Sequence, residues 1–260
     1  MRAVTSFQPA AKADVQALFD SLALEYVHTR ERALSFLTQK RLVTEMLDGM
    51  NGRILEVGCG PAVMAPDLAA MGFEVHGVDV SGEMVRRARE RMAGHPLEKR
   101  CRFAVGDFER LQYCAGFFDA VLAMGVLEYL PQYGPALRSA ARVLKPGGIA
   151  VFTVPNLASS YHATRSVYQV LRRGVRRLRA RREANEVPRR LCLPWALDRE
   201  LAQAGLEPVD SAACNFVLFP LKEIAPRLSD ALNRTLMPIA RFPLARLLGA
   251  QYVVKARRRA

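Results

Sequence analysis

Apolar positions in the first fifty residues recur at helical spacing. Phe19, Leu22, Ala23 and Tyr26 form one stripe. Leu34, Leu37, Leu42, Met46 and Leu47 form another, so residues 12–48 predict two helices. Asp48-Gly49 and Asn51-Gly52 then punctuate the chain. After Arg53 the rhythm changes to short apolar runs at 54–57, 74–80, 101–105, 119–124 and 149–154. Helical stretches at 61–71, 82–93 and 135–144 separate these runs, and a further helix is predicted at 194–204. Residues 207–217 and 251–256 read as two more strands. Strands that alternate with helices predict an α/β fold with a mostly parallel, seven-stranded sheet covered by helices on both faces. The expected organisation is an N-terminal helical cap, 1–50, and one α/β domain, 51–260, with helical insertions at 157–193 and 218–248.

Composition supports an ample core: half of the 260 residues are hydrophobic and 24% are charged. That balance excludes global disorder and a disulfide-stapled miniprotein. The longest charge-free run, 146–164, is broken by Gly147, Gly148, Pro155 and Asn156, so no transmembrane helix is expected. Residues 1–16 lack the apolar segment of a secretory signal. Five cysteines without a CxxC pair fit a reduced, cytoplasmic setting and suggest neither a zinc site nor a disulfide framework.

The strongest local feature is ILEVGCGPA at 54–62. A buried strand enters a turn with glycines at its first and third positions, and a helix follows. Glycine lets backbone approach a ligand that a side chain would block, and a helix start presents free amides. The second strand ends in Asp79, where a carboxylate can accept from both hydroxyls of a ribose. The third ends in Gly106-Asp107-Phe108, which places another acid at a strand tip. Val63 stands where a dinucleotide-binding turn has its third glycine, which speaks against a bound pyrophosphate and a nicotinamide dehydrogenase.

With the segments VHGVDVS (75–81), VGDFERL (105–111), FFDAVLAMGVLEYLP (117–131), RVLKPGGIAVFTVPN (142–156) and QYVVKAR (251–257), the chain resembles the class I S-adenosylmethionine-dependent methyltransferases. The likeness is to the small-molecule branch that includes quinone-biosynthesis enzymes, and it covers about 45–258. It implies a Rossmann-like fold with S-adenosyl-L-methionine as cofactor. It places Gly58, Cys59 and Gly60 along the methionine part of that cofactor. It gives Glu56 the loop or the methionine amine, and Asp79 the ribose hydroxyls. Val80 and Met84 would lie beside the adenine, with Asp107 on its amino group and Phe108 over its ring. Met124 would supply a backbone edge beside the sulfonium. Arg41 is a weaker candidate for the cofactor carboxylate, set against a solvated helix arginine.

Methyl transfer needs a base only when the acceptor must lose a proton. His162, just after the fifth strand, and His28, at the end of the first helix, are the candidates, each weighed against a polar surface histidine. Glu128-Tyr129 stands where relatives often carry Glu-His, so a histidine base or a metal-assisted route is not expected there.

Lys and Arg total 38 against 25 Asp and Glu, a formal charge of +13. Between 172 and 190 nine arginines meet two acids, which concentrates over half of that excess in one insertion. An apolar stripe beside it (Tyr161, Val167, Val170, Leu171, Val175, Leu178) reads as a packed surface helix or as an amphipathic helix for an anionic membrane surface. Nucleic acid is a lesser candidate, since no aromatic residue interleaves with the arginines. The apolar residues between Phe216 and Leu248 are expected to line a pocket for a hydrophobic acceptor. The leading expectation is O-methylation of a small, apolar acceptor. The competing readings are an RNA methyltransferase that uses the Arg-rich insertion and a non-catalytic scaffold that retains the fold.

Overall fold

The computed structural model describes residues 11–30, 33–165, 168 and 187–260. Two helices, α1 (Lys12–Arg30) and α2 (Leu34–Met46), precede the sheet. The strands are β1 (Gly52–Val57), β2 (Phe73–Asp79), β3 (Cys101–Val105), β4 (Phe118–Met124), β5 (Leu144–Pro155), β6 (Leu206–Cys214) and β7 (Gln251–Arg258). They form one sheet in the order β3-β2-β1-β4-β5-β7-β6. The first five pair in parallel, and β7 runs antiparallel to both β5 and β6. The chain steps outward from β1 to β3 and returns to lay β4 on the other side of β1. The strand order therefore reverses there, and a crevice opens beyond the carboxyl ends of β1 and β4.

Alternation along the strands feeds two cores, one on each face. Ile54, Val75, Leu122 and Val151 point to the face covered by α2, α3 (Ala65–Ala70) and α4 (Gly82–Met92). Leu55, Val57, Val121 and Phe152 point to the face covered by α5 (Gly134–Val143) and the helix Pro194–Gln203. In α4 the buried residues Met84, Val85, Ala88 and Met92 form one stripe. Ser81 caps this helix by accepting from the Met84 amide at 3.0 Å.

The helix expected over 61–71 begins only at Ala65. Gly58, Gly60 and Ala62 hold φ of +66°, +51° and +59°, left-handed values that no right-handed helix accommodates. Within 218–248, Pro226 opens the helix Pro226–Leu236 and Pro243 opens the turn Pro243–Leu247. Four apolar residues of that insertion face outward, while Leu236, Met237 and Ile239 pack against the core. Ile224, Leu228, Phe242 and Leu244 are exposed, while Ser229 and Asn233 of the same helix are buried. Asn233 faces inward because its Oδ1 accepts from the Phe216 amide at 2.8 Å. In the first insertion residues 160–165 are helical, and Arg172 to Arg182, with most of the expected amphipathic stripe, lie outside the described residues.

Phe152 is fully buried mid-strand and stacks on Phe108 with ring centroids 6.5 Å apart. Phe152→Ala is expected to cost about 3–5 kcal/mol. It should lower the urea midpoint without changing the slope of the transition.

Candidate active site

The crevice holds a cavity lined by Val57, Gly58, Gly60, Asp79, Val80 and Met84 from the β1 and β2 ends. Gly106, Asp107 and Phe108 follow from β3, and Met124, Gly125, Val126, Tyr129 and Leu130 from the segment leaving β4. Helix α1 roofs it with Lys12, Val15, Phe19 and Tyr26, which share one helical face.

The turn after β1 is built to keep backbone at the cavity surface. Gly58 and Cys59 donate their amides to Val78 O at 2.7 and 3.1 Å. The Gly60 amide donates to Asp79 Oδ2 at 2.9 Å, and Ser81 N donates to Oδ1 at 2.9 Å. A Cβ on Gly58 would fall 2.3 Å from Val126 Cγ2. Burial pushes the Asp79 carboxyl up, against the pull of the Ser81, Gly60 and Val80 amides. Burial alone would raise Asp107 too. The Lys12 ammonium and the Glu109 amide outweigh it and hold that carboxyl below the usual range. Lys12 Nζ reaches Asp107 Oδ2 at 2.7 Å and also pairs with Glu109.

Glu56 stands behind the turn, 5% exposed, and its Oε2 has no hydrogen-bond partner among the described residues. Burial, then the negative charges of Asp79 and Asp67, push its carboxyl up to about 8. Glu56 does not line the cavity, and its unpartnered oxygen does not brace the loop.

Eight expected residues therefore meet at one cavity: Gly58, Gly60, Asp79, Val80, Met84, Asp107, Phe108 and Met124. Others do not. Cys59 is absent from the lining: its side chain is buried in the core, and burial pushes its thiol well above its ordinary range. Arg41 is 73% exposed and bonded to Glu45 at 2.8 Å, four residues on, away from the cavity lining. His162 is half-buried with its ring edge-on to Tyr161, outside that lining. Burial and the nearby Arg165 lower its pKa. His28 lies in the last turn of α1, and its side chain is outside the described residues. The residues between Phe216 and Leu248 do not line this cavity. Glu128 is buried outside the lining, and its backbone carbonyl accepts from the Arg190 amide at 2.7 Å. Its neighbour Tyr129 lines the cavity, with Phe19 at 5.2 Å and the Arg189 guanidinium 5.8 Å from its ring. Among the described residues no group of three His, Cys, Asp or Glu side chains is placed to hold a metal ion.

A parallel sheet that reverses its order beside a glycine turn, with acids at the next two strand tips, defines the fold of the class I S-adenosylmethionine-dependent methyltransferases. Residues 55–152 match the methyltransferase domain family. Over 130 residues the chain is 35% identical to a ubiquinone biosynthesis O-methyltransferase of Caulobacter sp. (strain K31), covering 47% of this chain and 51% of that protein. The chain spans about half the length of the curated relatives it matches. Magnesium protoporphyrin IX methyltransferase (ChlM) from Synechocystis PCC 6803, with bound SAH, shares the fold at TM-score 0.66 and 13% identity over 95% of this chain and 100% of that one. The 4+2-cyclase SpnF does so at TM-score 0.66 and 21% identity over 98% and 100%.

The raised Glu56 sets a pH dependence. Its carboxyl moves from an ordinary 4.5 to about 8, so the folded state holds a proton that the unfolded chain releases. The associated stability is fully present below pH 4.5 and is lost as pH rises through 8. Glu56→Gln should match the wild type in thermal denaturation at pH 4.5 and exceed it at pH 9.

Proposed function

We propose that the chain is an S-adenosylmethionine-dependent methyltransferase that methylates an oxygen of a small, apolar acceptor. The observation that carries this reading is the convergence of Asp79, Asp107 and the Gly58–Gly60 turn on one cavity. The residues present fit the cofactor. The left-handed glycines leave room for its amino-acid end, where a Cβ on Gly58 would intrude. Asp79 would take the ribose, Val80, Met84 and Phe108 would enclose the adenine, and Asp107 would receive its amino group. When bound, S-adenosylmethionine supplies a methyl group on a positively charged sulfur.

The chain's own task is then orientation and exclusion of water. Phe19, Tyr26, Val126, Tyr129 and Leu130 give the rest of the cavity an aromatic and aliphatic wall suited to an apolar acceptor. The rings among them present π faces that favour a cation. The relatives' names support oxygen as the methylated atom. His162 lies outside the lining of this cavity. Isothermal titration with S-adenosylmethionine tests the reading. Asp79→Asn removes a charged acceptor, a change worth about 1.5–3 kcal/mol. Affinity should therefore fall about 10- to 100-fold, and an unchanged affinity refutes the assignment.

An anionic membrane surface is a second proposed partner. Ile224 and Leu244 are 76% and 73% exposed, and the exposed Arg227 and Arg234 are carried on the same insertion. Among the described residues no helix is long and apolar enough to cross a membrane, so contact would be peripheral. Sedimentation with phosphatidylglycerol vesicles should capture the chain. Ile224→Glu with Leu244→Glu should abolish capture, and equal capture by phosphatidylcholine vesicles would refute the anionic preference.

A further inference from the structure

Helix α1 is fastened over the cavity at two points. Near its middle, Asp20 accepts from the Ser81 hydroxyl and, at 3.4 Å, from the Glu83 amide, so it is tied to the start of α4. At its first residue, Lys12 pairs with Asp107 and Glu109 at the end of β3. The two fastenings differ in one respect. Ser81 and Glu83 do not line the cavity, whereas Lys12 and Asp107 both do. Each oxygen of Asp107 already accepts from the chain itself: Oδ1 from the Glu109 amide at 3.0 Å, and Oδ2 from Lys12.

We propose that Lys12 is a competitive pin, which exchanges with the adenine amino group of the cofactor for Asp107 and keeps only its pairing with Glu109, so that the cofactor loosens the first turn of α1 as it enters. The inference rests on the site assignment above and adds to it a residue that sets cofactor affinity. The Asp20 fastening makes no use of the cofactor's partners and holds α1 as a pivot while Lys12 lets go of Asp107. The roof therefore tilts at one end and keeps Phe19 and Tyr26 over the cavity. Lys12 is 48% exposed and Asp107 33%, so salt screens their pairing.

S-adenosylhomocysteine is the suitable probe, because it carries no net charge and its binding reports the pin rather than bulk electrostatics. Three full-length chains are titrated at 20 mM and 500 mM NaCl: wild type, Lys12→Met and Lys12→Arg. Lys12 is a surface residue at the start of a helix, so both variants are expected to fold. Removing competition from a partly exposed pair should tighten binding about three- to tenfold in Lys12→Met at low salt. Wild type should gain affinity as salt rises, and Lys12→Met should not. Lys12→Arg should restore the wild-type affinity and salt response. Binding by Lys12→Met that equals or is weaker than wild type overturns the pin. So does Lys12→Arg behaving like Lys12→Met. Absence of binding in all three chains at millimolar ligand overturns the site assignment itself, and the pin with it.

Discussion

The carbonyl of Val78 and the carboxylate of Asp79 hold the turn after β1, and the rest of the site depends on that grip. Three successive amides, Gly58, Cys59 and Gly60, donate to the neighbouring strand tip rather than to a helix of their own. Only left-handed backbone can present them that way, and glycine adopts it without the steric penalty a side chain would add. The arrangement ties the ends of β1 and β2 together. It also delays the first helix to Ala65 and leaves a surface of bare backbone facing the crevice. Without it, Asp79 would lose the partner that aims it into the cavity.

Charge is distributed against the overall balance of the chain. The protein carries +13, yet the crevice gathers Asp79 and Asp107, with Glu56 just behind. The negative charges of Asp79 and Asp67, added to burial, are why Glu56 keeps its proton. A cationic ligand offsets those charges, and a neutral one of the same shape does not. The site is therefore electrostatically prepared for positive charge before any ligand arrives.

Much of this was legible in the sequence, and the failures have physical causes. All seven strands fall where apolar runs were read, and β1 and β4 were plainest because inner parallel strands buried on both faces need continuous hydrophobic runs. Asp79 and Asp107 were legible because strand tips in such a sheet face the ligand crevice. Cys59 lies inside the recognised turn, but one residue along a turn is enough to send a side chain into the core. Arg41 has a carboxylate four residues on, a helical pair visible in the sequence that accounts for it without a ligand. Lys12 gave no local signal, because it reaches the cavity only through the packing of α1 over the sheet. Val15 shares the stripe of Phe19 and Tyr26, whose spacing announced a helix but not what that helix would cover. In 218–248 the buried polar side chain of Asn233 and the exposed Leu228 lie on one helix, a placement the apolar pattern does not announce.

The protonated Glu56 has a consequence for how ligand binding is seen in solution. Its hold on hydrogen depends on the negative field of Asp79 and Asp67 as well as on burial. A cation delivered to the crevice cancels part of that field, lowers the threshold for ionisation and sends the hydrogen ion to solvent. Association near neutral pH then carries a second heat, that of the buffer taking up what the protein discharges. The apparent enthalpy will vary between phosphate and Tris while the occupancy does not, and the gap between the two counts the ions released per site.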